Sequence, residues 1–223
     1  MVNKNNEKGR SMIEVMGYMG VVIAVVAGIG HLVANAFDNY KYSKAYIQLT
    51  DLVGGIVRAA AVDADYREVI KMVNGTHDEA LKNREGQRII PASFGRTANG
   101  LINAFGGKVT VSLPPETGVI LDEGVTQDDG SVTHSDKFAI AFEGLSRKQC
   151  IEMAMKDWEN NHNIDLYAII INTNNYWYWP VYTQGSTDDN TLPIKRSAVT
   201  GTGNGDMGQC DQDTDNVIMW IFN

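Results

Sequence analysis

The spacing of hydrophobic residues divides the N-terminal part of the chain into two segments. From Val15 to Phe37 the sequence has no Asp, Glu, Lys or Arg, and this run exceeds the roughly 20 apolar residues that a helix needs to cross a bilayer. Beyond it, apolar residues recur at steps of three and four, which is the spacing of one helix face. They are Tyr42, Tyr46, Leu49, Val53, Ile56 and Ala60. The pattern predicts one continuous helix from Arg10 to about Val62, wholly apolar in its first half and amphipathic in its second.

After this helix the pattern changes to short runs separated by Gly, Pro, Asn and Asp clusters. Residues 63–73 and 76–84 are predicted as two short helical segments, each followed by a glycine. Runs of β-branched and aromatic residues then predict the strands of an antiparallel sheet. These runs are 108–113, 118–121, 137–142, 166–172, 176–182 and 216–222. The predicted fold class is therefore α+β.

One further helix is predicted between the strands. Ser146 to Gln149 has the spacing of a capping box, in which the first side chain and the fourth satisfy each other's backbone donors. Apolar residues follow at helical spacing and predict the buried face of this helix. They are Ile151, Ala154, Met155 and Trp158.

The order of features at the N-terminus distinguishes the apolar run from a secretory signal. A short charged leader ends in Lys8-Gly9, and one carboxylate, Glu14, stands where the apolar run begins. A secretory signal places its cleavage site after the apolar segment, so that the segment is discarded. Here the apparent processing point, Gly9-Arg10, precedes it. Cleavage there predicts a mature chain that begins at Arg10, keeps its apolar helix and carries Glu14 as the fifth residue.

This N-terminal order resembles the signature of type IV prepilins. The resemblance implies that a prepilin peptidase cleaves between Gly9 and Arg10, that the new N-terminus at Arg10 is N-methylated, and that Glu14 acts in filament assembly. It also implies partners and locations. These are the prepilin peptidase, the inner-membrane pilus assembly machinery and other copies of the chain. The precursor is expected in the bacterial inner membrane with its head in the periplasm, and the assembled subunit in an extracellular pilus.

The resemblance extends into the rest of the chain. Pro91, then Asn103 to Gly107 before a strand, and Phe138 to Ser146 leading to Cys150 are similar to the larger type IVb pilins of the PilS kind. The end of the chain, Cys210 followed by residues 216–222, is similar as well. Such pilins form thin pili of conjugative plasmids and bundling pili of some enteric bacteria. The resemblance implies an antiparallel sheet packed on the second half of the long helix, with a variable, disulfide-bounded region from Cys150 to Cys210.

The predicted organisation has four parts. Residues 1–9 are a leader, residues 10–37 the transmembrane and filament-core half of the helix, residues 38–62 its amphipathic half, and residues 63–223 a globular pilin head. The expected function is that of a structural pilus subunit for adhesion, aggregation or conjugative mating contact. A minor pilin or a type II secretion pseudopilin is the alternative within this interpretation.

A role for Glu14 in assembly also follows from electrostatics, without the resemblance. An ionised carboxylate in hydrocarbon costs about 2.5 to 3.5 kcal/mol on insertion scales, so it needs a partner or an interfacial position. In a helical bundle of subunits, the available cation is the α-amino group of Arg10 in a neighbouring subunit. Pairing would neutralise both charges and set the axial step between subunits. The alternative is that Glu14 lies at the membrane interface in water.

Net charge and cysteine content give further expectations about binding partners and cellular compartment. The net charge is -8, and removal of the leader, which has two lysines and one glutamate, makes it -9. Overall charge therefore predicts no nucleic-acid binding. Cys150 and Cys210 fit a single disulfide in an oxidising compartment, and two unrelated buried thiols are the alternative. If the bond forms, we expect it to join the far edge of the sheet to the rest of the head.

Several features that resemble metal or catalytic sites do not complete one. Asp211 to Asp215 spaces three carboxylates like the start of a calcium loop, but Asn216 replaces the glycine and Phe222 replaces the final Glu. The four histidines are scattered without metal spacing, and His31 is interpreted as a packed or interfacial residue. No set of nucleophile, base and orienting group can be assembled. We therefore predict that the protein is not an enzyme and takes no metal or cofactor.

A second class of protein remains open. Ala34-Asn35-Ala36 resembles a signal-peptidase site, so a secreted soluble protein cleaved after Ala36 is an alternative. The leader before the apolar run, the position of Glu14 and the apolar stripe that continues past this site argue against it.

Overall fold

The computed structural model consists of two compact units, residues 1–41 and 42–223, and each is described by itself below. The residues it describes are 6–63, 66–74, 89–97, 100–114, 125–126, 132–133, 137–156, 158, 165–171, 181–183, 192–200 and 209–223. Predicted elements at 76–84, 118–121 and 176–180 lie outside these ranges.

Helix α1, Asn6–Asp63, is continuous over 58 residues. It ends one residue after the predicted Val62 but begins four residues before the predicted Arg10. The extension covers residues 6–9, where Glu7 and Lys8 favour helix, no proline occurs and Gly9 does not interrupt the helix. The first unit is made of this helix alone as far as the structure describes it.

In the second unit, α1 buries one face against the head. Its buried residues recur at steps of three and four, as an amphipathic helix requires. They are Ala45, Leu49, Leu52, Val53, Ile56, Ala59 and Ala60. Tyr42 and Tyr46 are half-buried and pack against the same core. The predicted apolar stripe is therefore confirmed, and it is wider than the sequence pattern indicated.

In the part of the head that the structure describes, three shorter helices accompany the β-strands. The helices are α2 Tyr66–Asn74, α3 Arg147–Ala154 and α4 Arg196–Thr200. The strands are β1 Gly95–Thr97, β2 Gly100–Ile102, β3 Lys108–Ser112, β4 Val125–Thr126, β5 Val132–Thr133, β6 Phe138–Leu145, β7 Leu166–Ile171, β8 Val181–Thr183 and β9 Asn216–Phe222. Among the described residues, seven strands form one antiparallel sheet in the order β1-β2-β3-β6-β9-β7-β8, and β4 pairs with β5. The predicted α+β class, with a long helix packed on an antiparallel sheet, is confirmed.

The last strand lies in the middle of the sheet. Strand β9 pairs with β6 on one side and with β7 on the other. The expectation that the disulfide joins the far edge of the sheet to the head is therefore wrong, because Cys210 leads into an interior strand. The physical reason is that strand order depends on pairing between residues far apart in sequence, which the apolar run Asn216–Phe222 does not indicate. The described edge strands are the short β1 and β8.

The apolar face of α3 differs from the prediction. The capping box is present, since Ser146 accepts from the Gln149 backbone and the Gln149 side chain accepts from the Ser146 backbone. Of the predicted residues, Ala154 and Trp158 are buried, and Ile151 and Met155 are half-buried against the core. The buried residues of α3 also include Cys150 and Met153. The helix ends at Ala154, so Trp158 packs from beyond it, and its indole N–H donates to the Met153 carbonyl at 3.1 Å.

An aromatic cluster joins α1 to the sheet in the core of the head. The ring of Tyr46 lies 5.1 Å from that of Trp158, which lies 5.4 Å from Trp220 on β9. Trp220 in turn contacts Phe142 on β6 at 5.3 Å between centroids.

Gly55 lets the backbone of α1 and the backbone at Ile89 approach closely, because the Ile89 carbonyl occupies the space that a Cβ at position 55 would need.

Candidate membrane-anchoring and assembly segment

The apolar segment, defined as residues 12–37 of α1, exposes every one of its side chains. Its large exposed hydrophobic residues are Met12, Ile13, Val15, Met16, Tyr18, Met19, Val21, Val22, Ile23, Val25, Val26, Ile29, Leu32, Val33 and Phe37. By length and composition, α1 is the one helix in the described part of the chain that could cross a membrane, and its most apolar stretch is fully exposed.

Exposure on this scale points to an apolar environment outside the chain. Soluble monomers rarely expose contiguous apolar patches larger than a few hundred Å², whereas this surface surrounds the helix on all sides. Full burial of one large apolar side chain contributes about 1.5 to 3 kcal/mol, so covering the whole segment would be strongly favourable. A lipid bilayer or a bundle of like helices would provide the cover.

Glu14 is an exposed carboxylate between two exposed apolar residues, Ile13 and Val15. No hydrogen bond or ion pair joins it to another residue that the structure describes. The predicted processing point, Gly9-Arg10, lies within helical backbone of α1, and the side chain of Arg10 is outside the described residues. Cleavage, methylation and the assembly role of Glu14 therefore stay predictions.

The apolar segment contains two polar side chains that face each other. Asn35 Nδ2 lies 3.3 Å from His31 Nε2, one helical turn away. Mutual hydrogen bonding lowers the cost of placing polar groups in an apolar environment. The contact between Asn35 and His31 therefore lowers the free-energy cost of burying this part of the helix in an apolar environment.

A disulfide in the head joins Cys150 and Cys210. The two cysteines are 60 positions apart in the sequence, and their Cα atoms are 5.8 Å apart. Both cysteines are fully buried, and the alternative of two separate thiols is excluded. Backbone hydrogen bonds support the same junction. The N–H of Cys210 donates to the Val199 carbonyl at 3.1 Å, and that of Arg147 to the Asp213 carbonyl at 3.2 Å. The bond thus joins α3 to the segment that leads into the central strand β9.

The acidic turn before β9 is organised by Asn216. Its Nδ2 donates to the carbonyls of Leu145 at 2.9 Å and Gln212 at 2.7 Å, while its Oδ1 accepts from the Gln212 N–H at 3.2 Å. Asp211, Asp213 and Asp215 are exposed, and no group of three metal-ligating side chains occurs among the described residues. Sequence reasoning noted Asn216 only as a departure from a calcium loop and missed its structural role.

A second buried asparagine was also missed as a structural residue. The Oδ1 of Asn103 accepts from the N–H groups of Phe105 at 2.9 Å and Gly107 at 3.0 Å, which fixes the turn between β2 and β3. Its Nδ2 donates to the Glu143 carbonyl on β6 at 3.3 Å. The signal in the sequence is an asparagine two residues before an aromatic residue and two glycines, which is typical of an Asx turn.

No protein-family model matches this sequence, and a search of curated proteins gives no match. The features from which a function can be inferred are therefore the exposed apolar segment, the residues at its beginning and the disulfide-bonded head.

Proposed function

We propose that this chain is the structural subunit of a type IV (IVb) pilus. In this proposal a prepilin peptidase cleaves the precursor between Gly9 and Arg10, and the apolar segment holds the mature subunit in the inner membrane. The pilus assembly machinery then polymerises the subunits into a helical surface filament. The observation that carries the proposal is the apolar segment, which lies directly after the processing motif and is exposed on all sides.

Retention of the apolar segment gives a reason for its exposure. Before assembly, lipid chains would cover the exposed side chains of residues 12–37. After assembly, the same side chains would be covered by the apolar segments of neighbouring subunits in the filament core. Both environments remove apolar surface from water, so both stabilise the same helix. Transfer of the apolar segment from the bilayer to the filament core then depends on polar groups that interact differently with neighbouring subunits and with lipid chains.

Glu14 is the polar group best placed to make that distinction. It is exposed at the beginning of the apolar segment, where an unpaired carboxylate in hydrocarbon costs about 2.5 to 3.5 kcal/mol. A neighbouring subunit would supply a compensating charge through the α-amino group of Arg10, whereas lipid chains would not. Pairing would therefore favour the filament over the bilayer and fix the axial position of each subunit.

The head supports an extracytoplasmic location. Its two cysteines form one buried disulfide, and disulfides persist in oxidising compartments such as the periplasm and the cell surface. A head of this kind would face the periplasm in the membrane and the outside of the filament after assembly. The proposed role in adhesion, aggregation or mating contact is structural and requires no cofactor.

The first experiment determines the mature N-terminus. Intact-mass analysis of the protein purified from membranes or sheared filaments should give a chain that begins at Arg10, with one additional methyl group if the N-terminus is methylated. A chain that begins at Phe37 would mean a secreted soluble protein cleaved after Ala36, and it would contradict the proposal outright.

A second measurement separates a major subunit from its closest alternatives. A major pilin should be the most abundant protein in filaments sheared from the cell surface. A minor pilin or a type II secretion pseudopilin should be processed in the same way but scarce in, or absent from, that fraction.

A further inference from the structure

We propose that, in the bilayer and before assembly, two copies of this chain bind each other through their apolar segments, with His31 and Asn35 of each copy hydrogen-bonded to those of the other. This inference rests on the proposed membrane anchorage and extends it, because it names a partner, a second copy of the chain, and the residues that recognise it. All of these residues belong to the unit of residues 1–41.

His31 lies in the part of the apolar segment that would occupy the hydrocarbon. The run without Asp, Glu, Lys or Arg extends from Val15 to Phe37, so its midpoint is Val26. His31 follows Val26 by five residues, or about 7.5 Å of helix, whereas half the thickness of the hydrocarbon is about 15 Å. Polar side chains at such a depth almost always face another helix or a cavity and pair with other polar groups.

The contact between His31 and Asn35 leaves both a donor and an acceptor unused. Asn35 Nδ2 lies 3.3 Å from His31 Nε2, and because an amide nitrogen can only donate, the ring nitrogen accepts. The neutral ring then carries its hydrogen on Nδ1. Neither this N–H nor Asn35 Oδ1 has a hydrogen-bond partner among the residues that the structure describes, and both side chains are exposed. Surrounded by lipid chains, these unpaired groups would be unfavourable.

A second copy offers the matching groups at the same depth. Two anchored copies have their heads on the same side of the membrane, so their apolar segments run parallel and their His31 residues lie level. A helical side chain leans toward the N-terminus of its helix, and Asn35 thereby places its amide beside the His31 ring. The Oδ1 of one copy can then accept from the Nδ1–H of the other, and two-fold symmetry gives a second, equivalent bond. Lipid chains offer neither a donor nor an acceptor.

The side of the helix that carries His31 also permits close approach. At about 100° per residue, four small residues lie within about 60° of His31 around the helix. They are Gly20, Ala24, Ala27 and Gly28. Beyond the neighbouring backbone of the helix itself, nothing lies within 4 Å of a Cβ added at either glycine. Because small residues let membrane helices approach closely, the polar side chains of two copies can come within hydrogen-bonding distance.

Charged residues near the segment do not oppose this contact. The charged residue nearest to His31 in the sequence is Asp38, which lies on the same side of the helix and is half-buried. It follows Val26 by twelve residues, or about 18 Å, which places it outside the hydrocarbon. Water and salt there screen the repulsion between the two copies. Glu14 lies about 100° around the helix from His31.

The test uses the full chain with one added cysteine, reconstituted into phosphatidylcholine vesicles at a large excess of lipid. The native cysteines are paired and buried, so oxidation with copper phenanthroline joins two copies only through the added thiol. Ala27→Cys, on the proposed face, should give about tenfold more cross-linked dimer than Ile29→Cys, on the opposite side, because a disulfide requires its two Cα atoms to be close. The two positions differ by only about 3 Å in depth.

Further variants, made in the chain that carries Ala27→Cys, test the hydrogen bonds. His31→Ala or Asn35→Ala should reduce cross-linking about tenfold, as expected for the loss of two hydrogen bonds between membrane helices. His31→Gln should retain most of it, because its amide still donates. Val33→Ala, on the opposite side of the helix, is the matched control and should leave the yield unchanged.

Two results would overturn this inference while flotation of the wild-type chain with the vesicles upholds the anchorage. One is equal cross-linking through positions 27 and 29, and the other is an unchanged yield after His31→Ala. Failure of the wild-type chain to float with the vesicles would overturn the anchorage and the inference together.

Discussion

The two parts of helix α1 have the same backbone structure but opposite surroundings. In the apolar segment, Ile23 is 67% exposed, and apolar residues occupy all sides of the helix. In the head, Leu49 and Ile56 are fully buried, and the apolar residues occupy one face. The head part is thus covered by the protein's own sheet, whereas the apolar segment has no cover from its own unit among the described residues.

The comparison shows that helical structure and burial are determined separately. Both parts consist mainly of residues that tolerate a helix, and local propensity does not distinguish them. The two parts differ in the arrangement of their apolar residues. The head part has one apolar stripe, which suits packing against a single surface, whereas the apolar segment has apolar residues on all sides, which suits lipid or a helix bundle. Variants in one part should therefore alter folding, and variants in the other should alter processing and assembly.

The largest expected effect is on processing. Gly9→Val should leave an uncleaved precursor in the membrane fraction, because the proposed peptidase site requires glycine before the scissile bond. Its matched control is Gly17→Val in the same helix, where an added Cβ meets nothing within 4 Å beyond the neighbouring backbone of the helix itself. An immunoblot should show the precursor for the first variant and the mature size for the second. Normal cleavage of the Gly9 variant would show that processing occurs elsewhere.

The next effect concerns assembly without folding. Glu14→Ala should reduce filaments seen by electron microscopy at least about tenfold, because removal of one partner of a buried ion pair leaves the other charge, here the amine, buried and unpaired. The subunit should still be cleaved, inserted and oxidised, since Glu14 has no partner among the described residues. Glu14→Asp should retain some filaments.

Asp51→Ala is the control for this prediction. Asp51 is an exposed carboxylate on the head part of the same helix, so its removal should leave filament yield close to normal. Normal filaments from Glu14→Ala would mean that apolar packing alone sets the position of each subunit.

A third variant affects the head and not the apolar segment. Cys210→Ser should destabilise the head by about 4 kcal/mol, the chain-entropy value for a loop closed at the sequence separation of 60 between the two cysteines. Thermal unfolding of the full chain in detergent, followed by near-UV circular dichroism, measures the change. Reductant should lower the melting temperature of the wild type and leave that of the variant unaltered. Equal melting temperatures for the wild type with and without reductant would show that the bond contributes no stability.

Local signals in the sequence predicted much of the fold. The end of α1, the capping box of α3 and the bounds of β9 follow from periodicity and residue type, which depend on neighbours in the chain. The central place of β9 does not, because pairing with β6 and β7 depends on contacts between residues far apart in sequence. Trp158 was placed on α3 for the same reason, since helical spacing continued past the true end of the helix at Ala154.

Close approaches and buried polar residues were the least predictable features. Gly55 makes room for the Ile89 carbonyl, a close approach that no local pattern in the sequence indicates. Asn216 and Asn103 bind backbone groups that the sequence does not place near them. The candidate site is different, because its apolar residues are contiguous and visible in the sequence. The proposed partner of Glu14 belongs to another subunit, so no pattern within one chain reveals their contact.

The smallest effect compares one apolar residue from each part of α1. Leu49→Ala removes a fully buried side chain and should cost about 3 kcal/mol, which corresponds to a fall in melting temperature of about 6 to 12 °C for a head of this size. Ile23→Ala removes a side chain that is 67% exposed, so the melting temperature of the head should stay within experimental error of the wild type. Both are measured by thermal unfolding of the full chain in detergent, and both variants keep a good helix former at the mutated position. Because alanine still suits a lipid-covered helix, Ile23→Ala should also remain in the membrane fraction. An equal loss of head stability in the two variants would mean that the apolar segment belongs to the same folding unit as the head, and the separation between its two environments would then be wrong.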